Sequence, residues 1–90
     1  MNNNEQTPAQ LQKGIHAFMG FRFDEAVALL LPLAEQGEVE AQKLMARLYF
    51  SGNGVEKSLE RYRYWLTQAA AQGDRQSRAK LKRINKKDPG

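Results

Sequence analysis

The pentapeptide LAEQG, residues 33–37, returns 36 positions later as AAAQG, residues 69–73, and this return decides the fold. The same offset pairs Leu30 with Leu66 and Ala34 with Ala70, so each half of the chain reads as helix, turn, helix and glycine stop. Helical hairpins repeated at a period of this size bury their apolar faces by stacking on one another, as a right-handed solenoid.

Outward from the two pentapeptides, apolar residues recur at spacings of three and four, and no stretch alternates with period two for long. Every predicted element is therefore a helix. Leu11, Ile15 and Phe18 mark a first helix over about 8–19, with Pro8 in its first turn and Thr7 as N-cap. Asp24 is expected to cap a second, which carries Ala26, Val27, Leu29, Leu30, Leu33 and Ala34 and stops at Gly37, a residue suited to the left-handed position after a helix. Pro32 lies inside it and is expected to bend it, because it has no N–H for the carbonyl of Ala28. Ala41, Leu44, Met45, Leu48 and Tyr49 mark a third helix, ended by Gly52 and Gly54. Ser58 is expected to cap a fourth, with Leu59, Tyr62, Trp65, Leu66 and Ala69, ending at Gly73. Ser77, Leu81 and Ile84 form a narrow apolar stripe on a short fifth helix, after which KKDPG frays.

Ninety residues, 41% hydrophobic and 27% charged, suit a single small domain. Cysteine is absent, which removes disulfides and thiol chemistry, and one histidine with scattered carboxylates offers no metal set, so no cofactor is expected. The start, MNNNEQTPAQ, lacks a basic region and an apolar core, and the longest apolar run, AVALLL, is far short of the roughly 20 residues of a membrane span. A cytoplasmic protein without a membrane partner is expected. Residues 1–55 carry four Lys or Arg against six Asp or Glu, and residues 56–90 carry ten against four, so the net charge of +4 arises in the second half. The segment RQSRAKLKRINKK holds seven basic residues and no acidic one, a patch suited to phosphates or an acidic protein surface.

Between the third and fourth helices stands LYFSGNGVEK, residues 48–57. A G-x-G turn cradles phosphate when it follows a strand and opens a helix toward a third glycine or a Lys-Ser/Thr pair, whereas this one follows a helix and continues VEKS. It is read as a corner whose glycines take backbone angles closed to other residues. The stretch 41–73 resembles the Sel1-like repeat, a relative of the tetratricopeptide repeat: Ala41, Met45, Tyr49, Gly52, Gly54, Val55, Trp65, Ala69, Ala70, Gln72 and Gly73 hold the places of that pattern. GIHAFMGFRFDEAVALLLPLAEQG matches more loosely, as a short opening repeat without the longer loop. Ala46 stands where the family has glycine, Ser58 where it has aspartate, and Tyr62 where it has a small alanine. A phenol at Tyr62 must splay the hairpin, rotate outward or fill a gap left elsewhere.

The resemblance implies an all-α, tetratricopeptide-like α/α superhelix of two helical hairpins plus a C-terminal capping helix. Repeat one is expected at about 8–37, repeat two at about 38–73 and the capping helix at about 74–86, with tails at 1–7 and 87–90 disordered. It further implies a non-enzymatic adaptor or scaffold. Groove positions carried over from the tetratricopeptide pattern select Glu40, Lys43, Arg47, Phe50 and Ser51 on the third helix; His16, Met19 and Phe21 are the exposed candidates around the first. Apolar anchors ringed by positive charge suit a partner protein segment with hydrophobic and acidic residues.

Other residues have blander readings. His16 has no sequence-near partner at catalytic or ligand spacing and is read as a surface or groove-edge residue. Asp24 and Glu25 suit first-turn roles. Tyr62, Tyr64 and Trp65 among Arg61 and Arg63 suggest base stacking, against which Trp65 is a core position of the family. The second function class is nucleic-acid association through Arg75, Arg78, Lys82 and Lys86, which share a face at helical spacing. With so few repeats, self-association through an end of the stack is a further expectation.

Overall fold

The computed structural model describes residues 8–87. It contains five helices, α1 (Pro8–Met19), α2 (Phe23–Glu35), α3 (Val39–Ser51), α4 (Leu59–Ala71) and α5 (Arg75–Lys87), each packed on the next in the chain. The result is all-α and elongated, 46 × 29 × 18 Å, an arrangement of helical-repeat, solenoid-like type. The Thr7 cap and the tails 1–7 and 88–90 lie outside the described residues, and α5 runs to Lys87, one residue beyond its expected end. No helix among the described residues is long and apolar enough to cross a membrane.

The 36-residue offset is realised in the backbone: α4 and α5 begin and end 36 positions after α2 and α3. The turns between them match as well. Gly37 and Gly73 take φ of 99° and 97°. The N–H of Glu38 reaches the carbonyl of Leu33 at 3.0 Å, and that of Asp74 reaches Ala69 at 3.2 Å. These are the hydrogen bonds that close a helix around a left-handed residue and satisfy its last carbonyls. The two turns are then tied together by Gln72, whose Nε2 donates to the Gly37 carbonyl at 2.8 Å and to Gln42 Oε1 at 3.1 Å. Gln42, buried, donates in turn to the carbonyl of Ala34 at 3.0 Å, so its burial leaves no amide hydrogen-bonding group stranded.

The core is one cluster in which small and large residues are mixed. Ala17, Ala26, Ala34, Ala41 and Ala46 are buried with Leu30, Met45, Leu48, Trp65 and Leu66. Small side chains at crossings let helices approach closely. At Gly14 the approach is tightest: a Cβ there would lie 2.5 Å from Leu30 Cδ2. Tyr62 does not turn out; it is half-buried against the core with its ring 4.9 Å from that of Phe50.

One helix start differs from expectation. Asp24 does not cap α2: the cap position is Arg22, with no side-chain bond, and Asp24 and Glu25 lie in the first turn, where carboxylates favour the helix dipole. The turn leaving α1 already binds the Arg22 N–H to the Ala17 carbonyl at 2.8 Å, so the chain enters α2 immediately. Pro32 lies within α2, as expected; it and Ala28 are exposed, so the missing donor falls on the solvent side. Ser58 does cap α4, accepting from the Arg61 N–H at 3.1 Å.

The start of α5 has a cap that the sequence reading lacked. Asp74 Oδ2 accepts from the Ser77 N–H at 2.9 Å and the Ser77 hydroxyl at 2.7 Å, while Lys43 Nζ lies 3.2 Å from Oδ1. The Ser77 hydroxyl above all lowers the carboxyl pKa below its ordinary value; burial acts in the opposite sense, and the Ser77 amide and the Lys43 ammonium add to the lowering. A depressed folded-state pKa adds stability above the ordinary carboxylate range, and that stability is lost as pH falls through the folded value. Asp74→Ala is therefore expected to cost about 1 kcal/mol at neutral pH, the usual worth of a cap. The gap to wild type should narrow as pH falls below about 4. Thermal melts across that range check it; a gap indifferent to pH would sink the account.

Candidate binding groove

The C-terminal ends of α1 and α3 meet the start of α2 and the sides of α4 and α5 around one depression of about 460 Å³. Its walls are aromatic. Phe18 of α1 meets Phe23 of α2 edge-on at 6.0 Å, Phe21 from the turn between them meets Phe23 at 5.8 Å, and Phe50 of α3 lies against Tyr62. Helical spacing brings Arg47 and Phe50 to one side of α3, and the Arg47 guanidinium sits 5.1 Å above the Phe18 ring, an attraction that holds it at the wall. Ser51 donates to the carbonyl of Arg47 at 3.0 Å and accepts from Asn53 Nδ2 at 3.0 Å, which fixes the rim. Lys80 enters from α5. Lys57 Nζ lies 5.9 Å from the centre of the Phe50 ring.

The loop is a corner, as its sequence implies. Gly52 takes φ 77° directly after α3, and Gly54 takes the same angle with its α-carbon against the chain of Phe23, where an added Cβ would lie 2.7 Å from the carbonyl oxygen. Val55 is half-buried against the core. Gly54 thus presses on the segment that carries one wall of the depression.

Of the groove residues selected from sequence, Phe21, Arg47, Phe50 and Ser51 line this depression. His16 and Met19 are exposed on the last turn of α1 without lining it. Glu40 and Lys43 lie at the other end of α3, and Lys43 is bound to Asp74 at 3.2 Å and to Glu40 at 3.8 Å, so it joins α3 to the cap of α5. Phe18, Phe23, Asn53, Tyr62 and Lys80 belong to the lining and were not selected. Aromatic residues at helical spacing read as core, and Phe18, Phe23 and Tyr62 do pack on the core with their remaining surface turned to the depression.

The other surfaces differ in kind. Arg75, Arg78, Lys82 and Lys86 are all exposed on α5 and form no ion pair among the described residues. Tyr62, Tyr64 and Trp65 do not make a stacking platform: Trp65 is 5% exposed and Tyr62 faces Phe50, which leaves only Tyr64 open. Trp65 meets Tyr64 edge-on at 4.9 Å, and its Nε1 has no hydrogen-bond partner among the described residues.

The fold defines an all-α helical-repeat type of protein with an open aromatic and basic depression. Compared with protein-family models, curated proteins and solved structures, the chain finds no match.

Proposed function

We propose that the protein is a non-enzymatic binding module, a cytoplasmic adaptor or scaffold of Sel1-like kind, that takes a segment of a partner protein in the aromatic depression. The observation that carries this reading is the exposure of the lining: Phe21 is 78% and Phe50 52% exposed on one depression, beside an Arg47 that forms no ion pair among the described residues. Exposed aromatic residues beside arginine are the usual anchors of protein interfaces. Capture of a specific partner is expected to weaken by at least about 30-fold in Phe50→Ala or Arg47→Glu, the factor that a hot-spot loss of ~2 kcal/mol implies. Helicity by circular dichroism should be unchanged in both.

A second reading rests on the exposed basic residues of α5, which would meet nucleic-acid phosphates. It predicts nuclease-sensitive capture that survives Phe50→Ala and Arg47→Glu. Neutralising Arg75, Arg78, Lys82 and Lys86 would then remove it, each lost phosphate contact reducing the slope of log affinity against log salt by about 0.7 to 0.9. That result would replace the first reading.

A further inference from the structure

Three helices end in the same turn, and one of them uses the wrong residue for it. After α2 and α4 the left-handed position is held by Gly37 and Gly73; after α1 it is held by Phe21, at φ 63°. The hydrogen bonds are equivalent: Arg22 N–H to the Ala17 carbonyl at 2.8 Å and Phe21 N–H to that of Phe18 at 3.1 Å. Glycine is what this position selects, and a bulky side chain there is strained. Burial does not repay the strain, because the ring is 78% exposed, with its aromatic neighbour Phe23 at 5.8 Å in an edge-type contact. The strained backbone holds an aromatic ring on the wall of the depression. Strain kept where it brings no stability marks a place of use.

Charge inside the depression is of one sign, whereas Asp24 and Glu25 share a separate shallow pocket with Phe21 and Phe23. Arg47 and Lys80 line the depression, Lys57 lies over Phe50, and no carboxylate is among the lining residues. None of the three cations forms an ion pair among the described residues. The depression, about 460 Å³, has the size of a compact pocket and holds a few side chains of a segment, not a whole helix.

We propose, resting on the protein-binding reading above, that the occupant is a short partner segment in which an aromatic or branched apolar side chain stands within a few positions of carboxylates. Phe21 is its specificity-determining contact, gripping the apolar side chain, and Arg47 and Lys80 receive the carboxylates. Opposite charge at the rim orients and selects the segment while the rings hold it.

Panning the purified chain against displayed random short segments tests this, with the selected peptides labelled and titrated by fluorescence polarisation. Expected are peptides enriched in Asp or Glu beside Phe, Tyr, Trp or Leu, bound at least about tenfold more weakly by Arg47→Glu and by Phe21→Gly. Phe21→Gly should melt no lower than wild type, since it relieves the left-handed position; a purely structural Phe21 would lower the melting temperature and leave affinity intact. Peptides lost on Phe50→Ala but uncharged or basic, or indifferent to Phe21→Gly, would overturn this inference and leave the protein-binding groove standing. No selected peptide, or only peptides indifferent to Phe50→Ala and Arg47→Glu, would overturn both.

Discussion

Gly54→Val is expected to destabilise the protein by about 3 kcal/mol or more, the sum of a β-branched residue forced into the left-handed region and of overpacking against backbone. The structure supplies both causes: φ is 77°, and the first added carbon would fall 2.7 Å from the Phe23 carbonyl oxygen, which has no flexible end to move aside. For a domain of this size each kcal/mol is worth about 4–8 °C in melting temperature, so the loss is easily read. Gly52 provides the control. It has the same φ, yet its Cβ would meet only the Lys57 residue, at 3.1 Å from a side-chain carbon, so Gly52→Ala should show little beyond the conformational cost of about 1 kcal/mol. Equal melting temperatures for Gly54→Ala and Gly52→Ala would mean that the loop does not press on Phe23.

Leu30→Ala is expected to cost about 2–5 kcal/mol, because the side chain is fully buried and removing it leaves a cavity. Its partner is Gly14, where a Cβ would lie 2.5 Å from Leu30 Cδ2 and 2.8 Å from Cγ. Gly14→Ala alone overpacks this crossing, a cost of about 1–3 kcal/mol that the better helix propensity of alanine offsets only in part. The two changes together should be less harmful than their sum, since the methyl group that Gly14→Ala adds would enter the space that Leu30 vacates. A double-mutant cycle by urea denaturation should give a coupling of about 0.5–3 kcal/mol in the compensating direction. Strict additivity would show that α1 and α2 do not meet through this pair.

The order of helices was legible because the chain marks its own corners: Gly37, Gly52 and Gly73 take the left-handed angles their positions imply, and Ser58 caps α4. These signals are local, set by residues within a turn of one another. Features that depend on distant partners were not legible. Asp74 owes part of its role to Lys43, a residue of another helix, and Lys43 read from sequence as free to meet a partner. The start of α2 was misplaced because Asp24 is a better cap than Arg22 by residue type, and only the turn closing α1 sets where the next helix begins. Within the depression, Arg47, Phe50 and Ser51 followed from groove positions that the tetratricopeptide resemblance implies, and Phe21 from its expected exposure. Phe18, Phe23 and Tyr62 did not, since a half-buried ring shows the sequence only its buried half. Nor does residue type reveal the angle of Phe21, because Gly20 beside it is the more natural occupant of a left-handed position.

Trp65 gives the molecule an optical division of labour. It is the sole indole in the chain, sealed in the core, and it takes no part in the aromatic depression, whose rings are phenylalanines and Tyr62. Light absorbed at the red edge of the aromatic band excites that one group, and its emission shifts most when the core opens to water. A change that empties the depression is therefore dark in this channel, and a change that loosens the helical stack is bright. Phe21→Gly and Phe50→Ala belong to the first kind and Gly54→Val to the second, so one cuvette sorts lost recognition from lost architecture without a label.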